Sequence, residues 1–193
     1  MSLKDRENSP ILRKVRTKTK SKKATVCKCL CSVLCCAYFI SLMPNVFNLW
    51  INVSPSIPYG IYKKVTKYPQ KEDYILFCLE NEIAKITVDR HYITRGNCAF
   101  QSAPIGKKVV ATQGDLVKIS DNGIEVNGRL LTDSKPSKYD NLKRKMPIFS
   151  MDRYLDNGEF IVASAKENSY DSRYFGIVKR EQIKGVIETI IPS

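Results

Sequence analysis

Alternating apolar and polar positions dominate the second half of the chain. Leu116–Ser120 and Ile124–Val126 alternate with a period of two, and Asp121-Asn122-Gly123 between them is typical of a hairpin turn. The β-branched run Lys107–Ala111 ends before a Gly-Asp turn. The other predicted elements are strands at Asp73–Cys78, Glu159–Ser164, Tyr174–Val178 and Gly185–Ile191, a short helix around Asn81–Lys85 and an exposed loop over 133–158. This pattern predicts a mainly β domain, an antiparallel sheet or barrel-like sandwich.

The N-terminal quarter of the chain has a different pattern. Residues 1–28 carry ten Lys and Arg against two acidic residues and are expected to form a disordered basic tail. Residues 29–51 contain no charge, and a helix of that length reaches roughly 34 Å, enough to cross a hydrocarbon core of about 30 Å. We predict one uncleaved transmembrane signal-anchor helix there. A cleavable signal peptide is the alternative, but no small-x-small cleavage site follows.

The distribution of charge predicts the orientation of the chain. Basic residues flank the apolar segment on its N-terminal side only, so the tail is expected in the cytoplasm and residues 52–193 outside the bacterial inner membrane, in the periplasm. The net charge of +13 is typical of nucleic-acid binding proteins. However, the chain after residue 28 holds 22 basic and 17 acidic residues, so most of the excess lies in the tail. Nucleic acid is therefore not an expected partner.

The seven cysteines fall into two groups. Cys78 and Cys98 are the pair in the exported domain, and an oxidising compartment favours one disulfide between them. Two buried free thiols would look the same in the sequence. The remaining five lie in or beside the apolar segment, where we interpret them as small apolar residues, and no metal site is expected.

Candidate chemistry begins just after the apolar segment. Ser54 and Ser56 lie one residue apart in a stretch stiffened by two prolines, so their hydroxyls face the same way on an extended backbone. His91 is the only histidine and stands alone, which makes a surface role more plausible than a catalytic one. A lysine whose pKa is lowered by burial can act as the base instead. Lys107 and Lys108 point to opposite faces of a strand, so one of them can reach the serines.

Three motifs occur in a meaningful order. They are Ser-x-Ser-Ile-Pro at 54–58, Lys-Lys-Val-Val-x-x-x-Gly-Asp at 107–115 and Ser-x-Asp-Ser-Arg-Tyr-Phe-Gly at 169–176. Together they resemble the type I signal peptidase family of membrane-anchored Ser/Lys proteases, most of all its TraF-type branch of conjugative transfer peptidases. The resemblance covers about residues 52–186. The chain departs from the family pattern at Ile57 and Gln113, but neither departure removes a catalytic group.

The resemblance implies a role for each matched residue. Ser56 would be the nucleophile, Lys107 the general base, and Ser54 a donor in the oxyanion hole. The supporting residues would be Ser169, which orients the lysine, and Asp171 and Arg173, which form a structural ion pair.

The same resemblance implies a serine endopeptidase, behind one transmembrane helix, that needs no cofactor. Its partners would be the membrane, a precursor protein and components of a conjugative or type IV secretion apparatus. The expected reaction is pilin maturation by cleavage, with cyclisation as an alternative fate. Two other functions stay open: a general type I signal peptidase, and a non-catalytic single-pass component of a secretion or pilus complex in which the two serines form only a turn.

Overall fold

A computed structural model of the chain describes residues 31–38, 48–54 and 56–192. The chain divides into two units, one up to Phe47 and one from Asn48 onward. In the first unit, residues 31–38 are helical and their side chains are exposed. Among the described residues, no helix combines the length and apolar character needed to cross a bilayer. The predicted basic tail, 1–28, and residues 29–30 and 39–47 of the predicted membrane segment lie outside the described residues.

The second unit consists of two antiparallel sheets and two helices. The strands are β1 (Leu49–Asn52), β2 (Gly60–Val65), β3 (Tyr74–Phe77), β4 (Ile105–Ala111), β5 (Leu116–Ser120), β6 (Gly123–Val126), β7 (Arg129–Leu130), β8 (Met151–Tyr154), β9 (Glu159–Ala163), β10 (Val178–Lys179) and β11 (Ile183–Pro192). The helices are α1 (Asn81–Asp89) and α2 (Ser172–Phe175), with 3₁₀ turns at Ala99–Gln101 and Arg180–Gln182.

The larger sheet has the strand order β1-β2-β11-β3-β4-β9-β10, and the smaller sheet has the order β7-β6-β5-β8. Every strand pair among the described residues is antiparallel. The predicted mainly β, antiparallel domain is therefore confirmed.

Strand β4 carries a buried lysine into the middle of the larger sheet. Alternate residues of Ile105–Ala111 are buried, and Lys107 is one of them. Lys107 lies directly across from Ile75 of β3, on the same face of the sheet. Ile75 belongs to the main hydrophobic core, together with Phe77 and Val109. The period of two along β4 thus places an amine on the core side of a central strand.

The start of the second unit differs from the prediction. Leu49–Asn52 forms strand β1 and pairs with β2, so that Trp50 lies opposite Tyr62. The two rings are 5.8 Å apart. The last three residues assigned to the apolar segment are therefore part of a strand that packs on the domain.

The predicted strand Tyr174–Val178 is wrong at its start. Asp171 accepts a hydrogen bond from the backbone N–H of Arg173 and so caps α2, whose four residues include Tyr174. Gly176, with φ of 77°, ends the helix. A helix of one turn leaves no periodicity, so its adjacent aromatic residues looked like a strand.

The predicted loop over 133–158 contains a strand. Met151–Tyr154 pairs with β5 at the edge of the smaller sheet. Most of its side chains are exposed, so the strand shows no apolar alternation that the sequence could reveal.

The segment between β3 and β4 is held by a covalent bond. The sulfur atoms of Cys78 and Cys98 are 1.99 Å apart and form the disulfide named in the sequence analysis. Helix α1 lies within this segment, and only Ala84 and Thr87 of its residues are buried. Because α1 buries so little surface, we expect the disulfide to contribute much of the stability of this segment.

Replacing both Cys78 and Cys98 by serine should lower the free energy of unfolding by roughly 3 kcal/mol, because the bond closes a loop of 20 residues in the unfolded chain. Guanidinium denaturation of the purified chain, followed by tryptophan fluorescence, measures this difference. An unchanged midpoint would mean that the bond does not constrain the unfolded state.

Candidate active site

The three motif regions of the sequence line one cavity. Ser54, Ser56, Lys107 and Ser169 all contribute to its surface. The cavity has a volume of about 710 Å³, within the range of about 300–1,000 Å³ that is usual for ligand pockets. Residues far apart in the chain therefore meet at one solvent-connected site.

The Lys107 side chain enters this cavity from β4. It is 2% exposed, and its Nζ donates a hydrogen bond to Ser169 Oγ at 2.6 Å. Burial lowers the pKa of the amine from 10.5 to about 8; the charge of Asp171 opposes this shift and the charge of Arg173 adds to it. About half of the Lys107 side chains are therefore neutral at a pH near 8, and a neutral amine can accept a proton.

Lys108 occupies the opposite face of the strand. It is half-buried and forms a salt bridge with Glu72. The strand pattern alone left open which lysine faces the serines, and the family resemblance chose Lys107. Lys107 is also the lysine that lines the cavity.

Asn52, which the sequence analysis did not single out, holds the loop that carries the serines. It is 3% exposed, and its Nδ2 donates to the carbonyl oxygens of Ser54, Ile57 and Pro58 at 2.7, 2.9 and 2.9 Å. Its Oδ1 accepts from the N–H and the hydroxyl of Ser54 at 3.1 and 2.9 Å. One buried amide thus fixes the backbone on both sides of Ser56.

Apolar packing anchors the same loop. Ile57 is buried in a small core with Tyr62 and Leu76. Gly106 of β4 leaves space for this contact, because a Cβ built there would lie 3.4 Å from the Ile57 side chain and 3.1 Å from Trp50. The missing side chain lets the serine loop approach the strand that carries the lysine.

Ser164 connects the serine loop to the third motif. Its Oγ–H donates to the carbonyl of Ser56 at 2.9 Å, and its backbone N–H donates to Asp171 Oδ2 at 3.3 Å. Asp171 is paired with Arg173 at 2.8 Å, and both side chains are completely buried. The serine loop, Ser164 and the ion pair therefore form one continuous set of hydrogen bonds.

The Arg173 guanidinium shapes the loop that contains Ser169. Beyond its bonds to Asp171, it donates to backbone carbonyls of two segments: Lys166, Glu167 and Ser169 in that loop, and Asp133 and Lys135 in another. Because these acceptors are main-chain groups, the guanidinium fixes the backbone path itself and thereby the hydroxyl that meets Lys107.

Sequence reasoning found the residues with motif signatures and missed the two that brace them. Each had one available signal, since Asn52 and Ser164 are both polar residues at the end of an apolar strand. His91 is exposed and lies on the cavity surface. Within the described residues, no three His, Cys, Asp or Glu side chains are grouped to hold a metal ion.

Comparison with known proteins gives matches over most of the chain. Residues 23–191 match the family described as signal peptidase, peptidase S26. A plasmid transfer protein TraF from Escherichia coli is 36% identical over 144 residues, which cover 73% of this chain and 81% of that protein. A probable signal peptidase I-2 from Synechocystis is 33% identical over 82 residues, 41% of this chain and 34% of that protein. A signal peptidase I structure from Enterococcus faecalis aligns over 64% of this chain and 100% of that chain, with 21% identity and a TM-score of 0.36.

Replacing Lys107 by methionine should stabilise the fold by roughly 1–3 kcal/mol below pH 8, because burial of the ammonium is removed. The amine titrates near 8 when folded and near 10.5 when unfolded. Between these two pKa values the unfolded chain binds more protons than the folded chain, so the free energy of unfolding of the wild type rises with pH. Above the upper value the amine is neutral in both states, and its ionisation no longer contributes to the difference between the wild type and the variant.

Denaturation midpoints of the wild type and the methionine variant across this pH interval measure the effect. Lys108→Met is the matched control, because it replaces the neighbouring lysine, which lies half-buried on the opposite face of the strand. A gap between the wild type and Lys107→Met that stays constant from pH 7 to about 11 would contradict the lowered pKa.

Proposed function

Because the chain belongs to the signal peptidase family, peptidase S26, we propose that it is a membrane-anchored serine endopeptidase in which Ser56 is the nucleophile and Lys107 the general base. One observation carries this proposal: the buried Lys107 amine, with its pKa lowered to about 8, lines the same cavity as Ser56. A lysine with an ordinary pKa would be almost fully protonated at neutral pH and could not take a proton from a hydroxyl.

In the proposed reaction, neutral Lys107 accepts the hydroxyl proton of Ser56 as the Ser56 oxygen attacks the scissile carbonyl carbon. The lysine then donates this proton to the leaving amine, and the acyl group stays on Ser56 as an ester. A water molecule that gives a proton to the Lys107 amine then attacks the ester, and the lysine returns that proton to the Ser56 oxygen as it leaves. Attack by the N-terminal amine of the ester-linked chain itself would instead give a cyclised chain. The Ser169 hydroxyl orients the amine through the hydrogen bond of 2.6 Å.

Ser54 is the proposed side-chain donor to the oxyanion. In the free protein its hydroxyl donates to Asn52 Oδ1 at 2.9 Å, so the hydroxyl has to turn toward the substrate as negative charge develops. Ser54 is exposed, and the exchange replaces a neutral hydrogen bond by a charge-assisted one. A donor of this kind contributes about 2.7–4 kcal/mol to transition-state stabilisation.

The proposed substrate is an exported precursor, with pilin maturation for conjugal transfer as the biological role. The similarity to a plasmid transfer protein TraF extends over 73% of this chain and supports this role. The shorter similarity to a probable signal peptidase I-2 favours a general signal peptidase as the second candidate. In either role, the apolar segment that precedes β1 would anchor the enzyme beside its membrane-bound precursor, with the catalytic domain outside the bacterial inner membrane.

Replacing Ser56 or Lys107 by alanine should each lower kcat/KM by at least roughly 10³-fold, because each removes a group that acts in the transition state. The measurement is cleavage of a pilin precursor by the purified chain in detergent. Lys108→Ala is the matched control and should retain activity within a few-fold. If both the Ser56 and the Lys107 variant still cleave the precursor, the catalytic assignment is wrong, and a non-catalytic component of a secretion or pilus complex is favoured instead.

The pH profile of kcat/KM should show an acid limb near pH 8, where Lys107 loses its proton. Below this value the rate should fall about tenfold per pH unit, because only the neutral amine can act as a base. Initial rates with the same precursor between pH 5 and 10 give the profile. A rate that is constant from about pH 5 to 8 is incompatible with a lysine base.

A further inference from the structure

The cavity that holds Ser56 and Lys107 is also lined by a loop that the proposed chemistry does not use. Residues 137–146, which we call the wall loop, contribute Tyr139, Leu142 and several polar residues to its surface. At about 710 Å³, the cavity is large enough to take more of a substrate than the residues next to the scissile bond.

The wall loop is braced by a carboxylate at its turn. Asp140 Oδ1 accepts from the N–H groups of Leu142 and Arg144 at 2.9 and 2.8 Å. Its Oδ2 accepts from the Tyr92 hydroxyl at 2.8 Å and from Arg144 Nε at 2.6 Å. Burial acts to raise the pKa of Asp140, but these hydrogen bonds outweigh it and lower the pKa to about 2. The carboxylate therefore stays charged, and the loop stays braced, at any working pH.

Aromatic contacts connect the wall loop to the segment that contains Ser169. Tyr170, which follows Ser169 in the chain, packs against Tyr92 with 5.0 Å between the ring centres and stacks on Tyr174 with 5.4 Å between the ring centres. The Tyr174 hydroxyl accepts a hydrogen bond from the N–H of Ser137 at 2.8 Å. The wall loop is thus held at two points, at Ser137 by the Tyr174 hydroxyl and at Asp140 by the Tyr92 hydroxyl. Both of these rings pack against Tyr170.

Two apolar side chains project from this braced loop. Tyr139 is 60% exposed and Leu142 is 71% exposed. Single exposed apolar residues are common on protein surfaces. These two differ because both line the cavity of the proposed catalytic residues and stand on a loop that is already ordered. An ordered loop loses little conformational entropy when a ligand covers its apolar side chains.

We infer that Tyr139 and Leu142 form a binding site for an apolar side chain of the substrate polypeptide, at a position away from the scissile bond. The inference rests on the proposed function, since it takes the substrate to be an extended chain lying in this cavity. Burial of one apolar side chain there should strengthen binding roughly tenfold relative to aspartate at the same position. The site would thus select precursors by sequence as well as by cleavage position.

The test uses fluorescein-labelled, alanine-based peptides of about twelve residues, which span roughly 40 Å when extended. Each peptide carries Leu or Asp at one position in turn and lysines at its ends for solubility. Fluorescence polarisation measures their binding to the full chain with Ser56→Ala. One position should prefer Leu over Asp by roughly tenfold, and Tyr139→Ser or Leu142→Ser, added to Ser56→Ala, should reduce that preference at least threefold.

Matched controls are Tyr154→Ser and Leu130→Ser, which replace residues that are 64% and 55% exposed outside this cavity. Both should retain the preference. The proposal is overturned if no position prefers Leu, or if the preference survives in the Tyr139→Ser/Leu142→Ser double variant. The polarisation measurement detects binding independently of cleavage, so the two proposals can fail separately. If the wild-type chain cleaves no precursor but the preference for Leu is present, the Ser56/Lys107 assignment is wrong and the wall-loop site is supported.

Discussion

The buried ion pair of Asp171 and Arg173 is the interaction on which the rest of the site depends. Two charges removed from water are tolerated only if each is paired and its remaining hydrogen-bonding groups are used. The Arg173 guanidinium meets this condition by donating to backbone carbonyls of two separate segments. Asp171 meets it by accepting from Ser164 and by capping α2. The need to satisfy two buried charges therefore determines the path of the loop that presents Ser169 to Lys107.

Lys107 is a third buried ionisable group in this region, and its charge is not compensated in the same way. No carboxylate in the described part of the chain forms a salt bridge with Lys107, and its Nζ donates a hydrogen bond to the neutral hydroxyl of Ser169. Burial is therefore not fully compensated, and the pKa of the amine falls instead. The ion pair nearby acts in both directions, since Asp171 stabilises the ammonium and Arg173 destabilises it. The unfavourable burial of this ammonium lowers the stability of the folded chain and keeps the pKa of the amine well below its ordinary value.

Much of the fold follows from local patterns. The hairpin of Leu116–Ser120 and Gly123–Val126 combines clear alternation with a turn sequence, and both strands occur where the pattern predicts them. Prediction failed where the pattern carries no such information. Strand β8 is a largely exposed edge strand, α2 is a single turn, and Leu49–Asn52 continues an apolar run that resembles the end of a membrane segment. In each case the element exists because of its partner in the sheet or core.

For the site, the motifs of the sequence identify the chemical groups, because the hydroxyls and amines stand in recognisable patterns. The period of a strand separates Lys107 from Lys108, and the family resemblance assigns the role of base to Lys107. The packing of the folded chain adds that Lys107 is the buried lysine and lines the cavity, whereas Lys108 is half-buried on the opposite face of the strand. Burial is a property of a strand face packed against a core, and that face is chosen by the neighbouring strands. The bracing by Asn52 and Ser164 likewise depends on distances between atoms that no local pattern records.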